Sequence, residues 1–167
     1  MISTLLIPNE AAIDWQYLAL TDELTQIPNR RALDFQLKAI AATGKTISLA
    51  VIDIDYFKQI NDTQGHAAGD RAIRRIAQSL QSEAVWAGCE IAIAARFGGD
   101  EFVFVADLPA KELGAIALAA VHRAGYQASI GVACGIAGRH LFEAADRAVY
   151  KAKQEGRDRC FSNLDSP

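Results

Sequence analysis

Two adjacent carboxylates, Asp100 and Glu101, follow two residues without side chains in the segment Arg96-Phe97-Gly98-Gly99-Asp100-Glu101-Phe102. The segment lies between two apolar runs, Ile91–Ala95 and Phe102–Ala106, and a Gly-Gly pair between strand-like runs predicts a β-hairpin. Packing gains little from two like charges at a strand start. A site that holds a divalent metal and lets a polyphosphate approach the main chain needs this arrangement, because hard cations take oxygen ligands and glycine leaves the backbone uncovered. The turn points to a nucleotide-handling enzyme. By itself, a Gly-Gly turn with surface acids is also what a plain hairpin carries, so its weight depends on its company.

A second cluster supplies that company. Asp53-Ile54-Asp55-Tyr56-Phe57-Lys58-Gln59-Ile60-Asn61-Asp62 continues through Gly65-His66 to Gly69-Asp70, with four Asp, one Asn, one Lys and one His. Any one of these residues reads as a solvated loop position. Together, placed directly after a buried strand, they are too dense in ligating and hydrogen-bonding groups for loop solubility alone. A third pair, Lys153 and Arg157, is spaced by four at the end of the last helix, where cations ordinarily complement the helix dipole.

The elements that must position these residues follow from periodicity. Ala11, Trp15 and Leu18 predict a short amphipathic helix over residues 10–20. Pro28-Asn29 predicts a loop and an N-cap, after which Leu33, Leu37 and Ile40 line a helix ending near Thr43-Gly44. Ile47–Ile54 is a continuous apolar run of strand length that delivers Asp53 and Asp55 at its C-terminal end. Residues 56–69 read as a polar, turn-rich connection, and Ile73, Ile76, Ala77 and Leu80 mark a helix starting at about Gly69-Asp70. Then come the hairpin of residues 90–106, a helix through Leu113, Ile116, Ala117, Ala120 and Val121, and a strand over Gln127–Cys134. A last helix carries Leu141, Ala144, Ala145, Ala148, Val149 and Ala152, with Gly156 as its C-cap. The order helix, strand, helix, hairpin, helix, strand, helix includes a hairpin and cannot be all parallel. It predicts an α+β fold with helices over one or both faces of the sheet.

Composition bounds the function. At 167 residues with 51% apolar and 22% charged positions, the chain is long enough for one domain with a sizeable core. A net charge of −3 argues against a general nucleic-acid binder. Cys89, Cys134 and Cys160 fit neither a zinc pattern nor a disulfide framework, so a reduced cytoplasmic setting is expected. No apolar run approaches the ~20 residues that span a bilayer, and no basic region precedes a hydrophobic stretch at the N-terminus, so neither a membrane segment nor secretion is indicated.

From Asp22 to about Arg159 the chain resembles the GGDEF-domain diguanylate cyclases, which join two GTP molecules into cyclic di-GMP. The resemblance rests on five ordered motifs. They are Asp22-Glu23-Leu24-Thr25 with Pro28-Asn29-Arg30-Arg31; Asp53 through Asp70; Arg96–Phe102; Ser129-Ile130-Gly131-Val132-Ala133; and Ala145-Asp146 through Tyr150-Lys151-Ala152-Lys153. One short signature would be moderate evidence; five in order and context are specific. The resemblance implies a mixed, largely antiparallel sheet flanked by helices, like the palm fold of nucleotidyl cyclases and polymerases. It also divides the chain into an N-terminal helical extension over residues 1–20 and a GGDEF domain over residues 21–167.

The resemblance further implies two Mg²⁺ ions per active half-site, with Mn²⁺ as a substitute, held by Asp53, the carbonyl of Ile54, Asp100 and Glu101. Asp100 or Glu101 would activate the attacking ribose 3′-hydroxyl, and the sequence leaves open which of the two is the base. Lys58 would neutralise charge on the transferring phosphoryl group. The backbone at Phe57-Lys58, with Lys153 and Arg157, would hold the β- and γ-phosphates, and Gly98 and Gly99 would admit the ribose and α-phosphate. Asn61 and Asp70 match the guanine-recognising positions; a carboxylate accepting from the guanine N1–H and amine has no such partner in adenine, which favours GTP over ATP. For His66, a loop-shaping role and a nucleotide contact are equally open.

Because each subunit in this family holds one GTP, a homodimer is expected for catalysis. The Arg-x-x-Asp product-inhibition motif of many members is absent, its positions being Cys89 and Ala92. The stretches from Phe102 to Ser129 and from Ala133 to the last helix are short for the family. No sensor domain is recognisable in this sequence, so control is expected from outside it, in a separate sensor or regulatory protein or in another part of a longer chain. A catalytically inactive, GTP-binding regulatory module is the alternative reading, and the intact signature counts against it. A cyclic di-GMP receptor is a third, disfavoured by the missing Arg-x-x-Asp.

Overall fold

The computed structural model describes residues 19–86 and 89–162. The elements are α1 (Arg30–Thr43), β1 (Thr46–Ile54), α2 (Phe57–Gln64), α3 (His66–Trp86), β2 (Ala92–Gly98), β3 (Glu101–Ala106), α4 (Ala110–Ala124), β4 (Ala128–Ile136), α5 (Arg139–Gln154) and β5 (Arg159–Ser162). The five strands form one sheet in the order β2-β3-β1-β4-β5, antiparallel throughout except for the parallel β4–β5 pair. This is the mixed, largely antiparallel α+β architecture expected. All but the end of the helix expected over residues 10–20 lies outside the described residues.

β1 occupies the centre, and both its faces are covered, which is why it reads as an unbroken apolar run. Side chains alternate across a strand. Ala50, Ile52 and Ile54 join Phe102 and Phe104 of β3 in a core with α3 and α4, while Ile47, Leu49 and Val51 join Val103 and Val105 in a second core with α1 and α5. Asp53 continues the second column and so emerges beneath α5.

Local signals hold at α1. The Asn29 side chain accepts a hydrogen bond from the Ala32 N–H as N-cap, and Gly44 closes the helix at φ +71°. Three expectations change. Residues 56–69 are helical rather than turn-like: α2 runs over Phe57–Gln64, and α3 starts at His66 instead of Gly69. Eight residues with a polar outer face look like a loop in sequence, but Phe57 packs on the α3/α4 core and anchors the short helix. The cap of α5 is Glu155, with Gly156 one residue beyond at φ +107°. Finally, β5 is a strand that no sequence expectation contains; its four residues gain strand geometry only from the edge of β4.

Gly131 decides how close α5 comes. A Cβ at this β4 position would lie 2.0 Å from the Ala145 carbonyl oxygen and 2.3 Å from the Val149 amide nitrogen, both backbone atoms of α5. The helix therefore rests directly on the sheet, which brings its last turn within reach of the end of β1. Gly131→Ala is expected to cost about 3 kcal/mol or more, since backbone has no rotamer with which to yield. Urea unfolding monitored by circular dichroism measures the loss; a change under 1 kcal/mol, the low end of overpacking costs, would contradict the packing described.

Candidate active site

The β1–β3 register sets Asp53 directly opposite Glu101. The two strands pair from Ser48↔Ala106 to Asp53↔Glu101, so both carboxylates end the same α5-facing column. Gly98 pairs with Glu101, leaving Gly99 and Asp100 as the turn between them. Gly99 sits at φ +52°, a conformation that favours glycine, and a Cβ at Gly98 or Gly99 would meet nothing within 4 Å. The open face of the turn is free for another molecule's approach. The Ile54 N–H donates to the Asp100 carbonyl, tying the turn to the strand end.

Arg96 locks this turn from behind. Its guanidinium donates to the Gly99 carbonyl at 2.7 and 3.2 Å and to both Asp22 oxygens at 3.0 and 3.1 Å. Asp22 in turn accepts from the Thr25 amide and hydroxyl at 3.0 and 2.7 Å. Burial raises the Asp22 pKa, but these hydrogen bonds and the Arg96 charge outweigh it and hold the carboxyl below the ordinary 3.8. The stabilisation is present above that value and lost as pH falls through the lowered one. The sequence displayed both motifs, yet gave them no role. An Asp three residues before a Thr is the hint of such a turn, and an Arg beside Gly-Gly its partner.

Above the carboxylates stands Lys153, whose ammonium donates to Asp53 at 2.7 Å from the last turn of α5. Burial raises the Asp53 pKa above 3.8 despite that contact, and the neighbouring Asp100 and Asp55 charges add to the rise. Glu101 is likewise raised above 4.5, first by burial and then by Asp53, Asp100 and Asp146, with Lys153 opposing. One ammonium thus faces a surplus of carboxylates. Among the described residues no group of three His, Cys, Asp or Glu side chains is drawn into a closed ligand cluster.

The other expected residues divide into two groups. Asn61 on α2 lies against Gly69 of α3: a Cβ on Gly69 would fall 2.1 Å from the Asn61 Oδ1 and 3.1 Å from the Phe57 ring. Asp70 follows on α3, half-buried, whereas Lys58 and His66 are exposed. Arg157 is not on the last helix, as the four-residue spacing implied, but beyond it at φ +63°. Its Nε lies 3.9 Å from Asp55, and its guanidinium is 5.1 Å from the Tyr56 ring centroid. Two clefts of roughly 870 and 640 Å³ open on the α1 side, around Arg30 and Phe97; the carboxylate cluster lines neither.

Since the fold raises the Glu101 pKa, its ionised form costs stability at neutral pH; the cost disappears as pH falls through the raised value. Glu101→Gln is expected to raise the thermal midpoint at pH 7, the gain shrinking towards pH 4.5, the ordinary glutamate value. Thermal melts across pH would show a pH-independent or negative difference if the crowding were absent.

The sequence profile of the diguanylate cyclase GGDEF domain matches residues 19–159. The chain is 41% identical to the diguanylate cyclase DgcP of Pseudomonas aeruginosa, over 87% of this chain and 24% of that protein. It is 34% identical to the diguanylate cyclase VdcA of Vibrio cholerae, over 84% of this chain and 46% of VdcA. The chain thus spans less than half the length of either. The solved coiled coil and GGDEF domain of DgcB from Caulobacter crescentus, in complex with c-di-GMP, superposes with a TM-score of 0.81 at 31% identity, covering 92% of this chain and 90% of that one. The diguanylate cyclase SiaD of Pseudomonas aeruginosa, solved with its activator SiaC, gives 0.76 at 30% identity, covering 92% and 65%. With its motifs, its palm-like sheet and these matches in agreement, the chain belongs to the GGDEF domain family.

Proposed function

We propose that this domain is a diguanylate cyclase, condensing two GTP into cyclic di-GMP with release of two pyrophosphates. The observation that carries the reading is the Asp53–Glu101 pairing, with Asp100 in the adjoining turn and Lys153 above it. Crowded carboxylates whose pKa values are raised by burial and by one another are a donor set that a hard divalent cation fits. Asp53, Asp100, Glu101 and the Ile54 carbonyl would hold two Mg²⁺, or Mn²⁺ in their place. When bound, the ions supply charge neutralisation at the α-phosphate and acidify the ribose hydroxyl.

The protein's own groups do the remainder. Gly98 and Gly99 let the ribose and α-phosphate lie against the main chain. Asn61, seated on Gly69, and Asp70 read the guanine edge, with the exposed His66 near them in sequence. The Phe57-Lys58 backbone, Lys58, Lys153 and Arg157 grip the phosphates; Lys153 spends one of its three N–H donors on Asp53 and keeps two for phosphate. Glu101 or Asp100 takes the 3′-hydroxyl proton.

One domain holds one nucleotide, so the bond-forming partner comes from a second copy facing it. Control by a separate activator, of the kind solved with SiaD, fits a catalytic domain of this sort. No helix among the described residues is long and apolar enough to cross a membrane; we place the domain in the cytoplasm, where GTP is.

Purified protein incubated with Mg²⁺ and GTP is expected to form cyclic di-GMP at a rate per subunit that rises with protein concentration. No product at high concentration or after fusion to a dimeriser would sink the proposal, and tight GTP binding without turnover would establish the inactive regulatory module instead. Asp100→Ala should lower turnover by about a thousandfold or more while the melting profile stays native, because a turn acid contributes little packing; retained turnover would refute its role. Asp70→Ala should cut discrimination between GTP and ATP by roughly 10–100-fold, read as the ratio of kcat/KM values; an unchanged ratio would remove Asp70 from guanine recognition.

A further inference from the structure

Asp55 is the most deeply buried carboxylate described, its side chain fully covered, and the reaction above has no use for it. It follows β1, two residues beyond Asp53, and turns inward toward the start of β4 and the turn after α5. One oxygen accepts from the Ser129 hydroxyl at 2.7 Å; the other accepts from the Asp158 amide at 2.8 Å. The Arg157 Nε stands 3.9 Å from the first oxygen.

What those bonds hold is an unusual piece of backbone. Gly156, Arg157 and Asp158 are consecutive residues at φ +107°, +63° and +48°, a run that L side chains rarely adopt. The Arg157 amide returns to the Ala152 carbonyl at 2.9 Å, and the Asp158 carboxylate is gripped from α4 by His122 at 2.7 Å and from the β4 approach by Gln127 at 3.1 Å. Such a turn persists only where its surroundings over-determine it. The result is that the Arg157 guanidinium is carried beside the Tyr56 ring, facing the start of α2, instead of trailing from the helix end into solvent.

We infer that Asp55 is a positioning residue: a buried carboxyl group that, through Ser129 and the Asp158 amide, fixes the left-handed 156–158 turn and thereby aims Arg157 at the terminal phosphates of the nucleotide. The inference rests on the proposed phosphate role of Arg157. It differs from a general stabilising role in being selective. A loosened strand end would weaken every nucleotide alike, whereas a misaimed Arg157 weakens only those with β- and γ-phosphates.

The test compares binding of the β,γ-imido analogue of GTP with binding of GMP, by calorimetry on the full chain. Asp55→Ala should weaken the imido analogue about tenfold, the loss of one charge-assisted contact, with GMP changed less than about twofold. In an Arg157→Met background the same substitution should have no further effect. Asp55→Asn keeps the size and one acceptor, and should show the same selectivity at smaller amplitude even if the alanine variant does not fold. Equal weakening of both nucleotides, or an undiminished effect without Arg157, overturns the inference. Arg157→Met alone separates the two readings: if it binds the imido analogue as tightly as native protein, the phosphate role of Arg157 fails and takes this inference with it. If it binds weakly while both Asp55 variants remain native-like, only the positioning role falls.

Discussion

The alternation of side chains along a sheet covered on both faces governs everything else in this domain. β1 is central, its odd and even positions feed separate cores, and its register with β3 is pinned by six residue pairs between Ser48 and Asp53. A slip of one residue would send Val51 and Ile52 to each other's cores and turn Asp53 away from α5. Because the hydrophobic columns forbid that slip, the polar residues that end them have no freedom either: Asp53 must face Glu101. The chemistry is attached to the end of a packing problem that has one solution.

Like charges forced together need a compensating device, and this fold supplies two of different kinds. Lys153 supplies a local countercharge, reaching Asp53 because Gly131 lets α5 lie on the sheet without an intervening Cβ. The backbone hydrogen bonds supply the other: Arg96 fastens the Gly99 carbonyl to Asp22, and the Ile54 amide fastens the Asp100 carbonyl to β1. The turn keeps its carboxylates close although they repel. Raised pKa values at Asp53 and Glu101 express the residual cost.

A division of labour among the acids follows from burial. Asp53 and Glu101 are half-covered and electrostatically crowded, fit to meet a ligand. Asp22 and Asp55 are spent on the protein itself, one on an arginine behind the signature turn, the other on a strained turn after α5. Motif residues two positions apart, Asp53 and Asp55, therefore serve different ends, because one sits beneath a lysine and the other against a serine hydroxyl and a backbone amide.

Sequence by itself determined the ordered motifs, the buried strand ending in Asp53, the signature hairpin and the family, because period-2 and period-3.6 patterns and turn glycines are local properties. It also named most residues that the fold gathers around the end of β1. The tertiary structure decided what distance in sequence concealed. α2 is a helix only because Phe57 finds the α3/α4 core, and β5 is a strand only because β4 offers it an edge. The partners that Asp22, Asp55 and Lys153 find across the fold (Arg96; Ser129 and Asp158; Asp53) lie 74 to 103 residues away. No local pattern encodes such a pairing; it exists once the sheet register and the seat of α5 on Gly131 have been set.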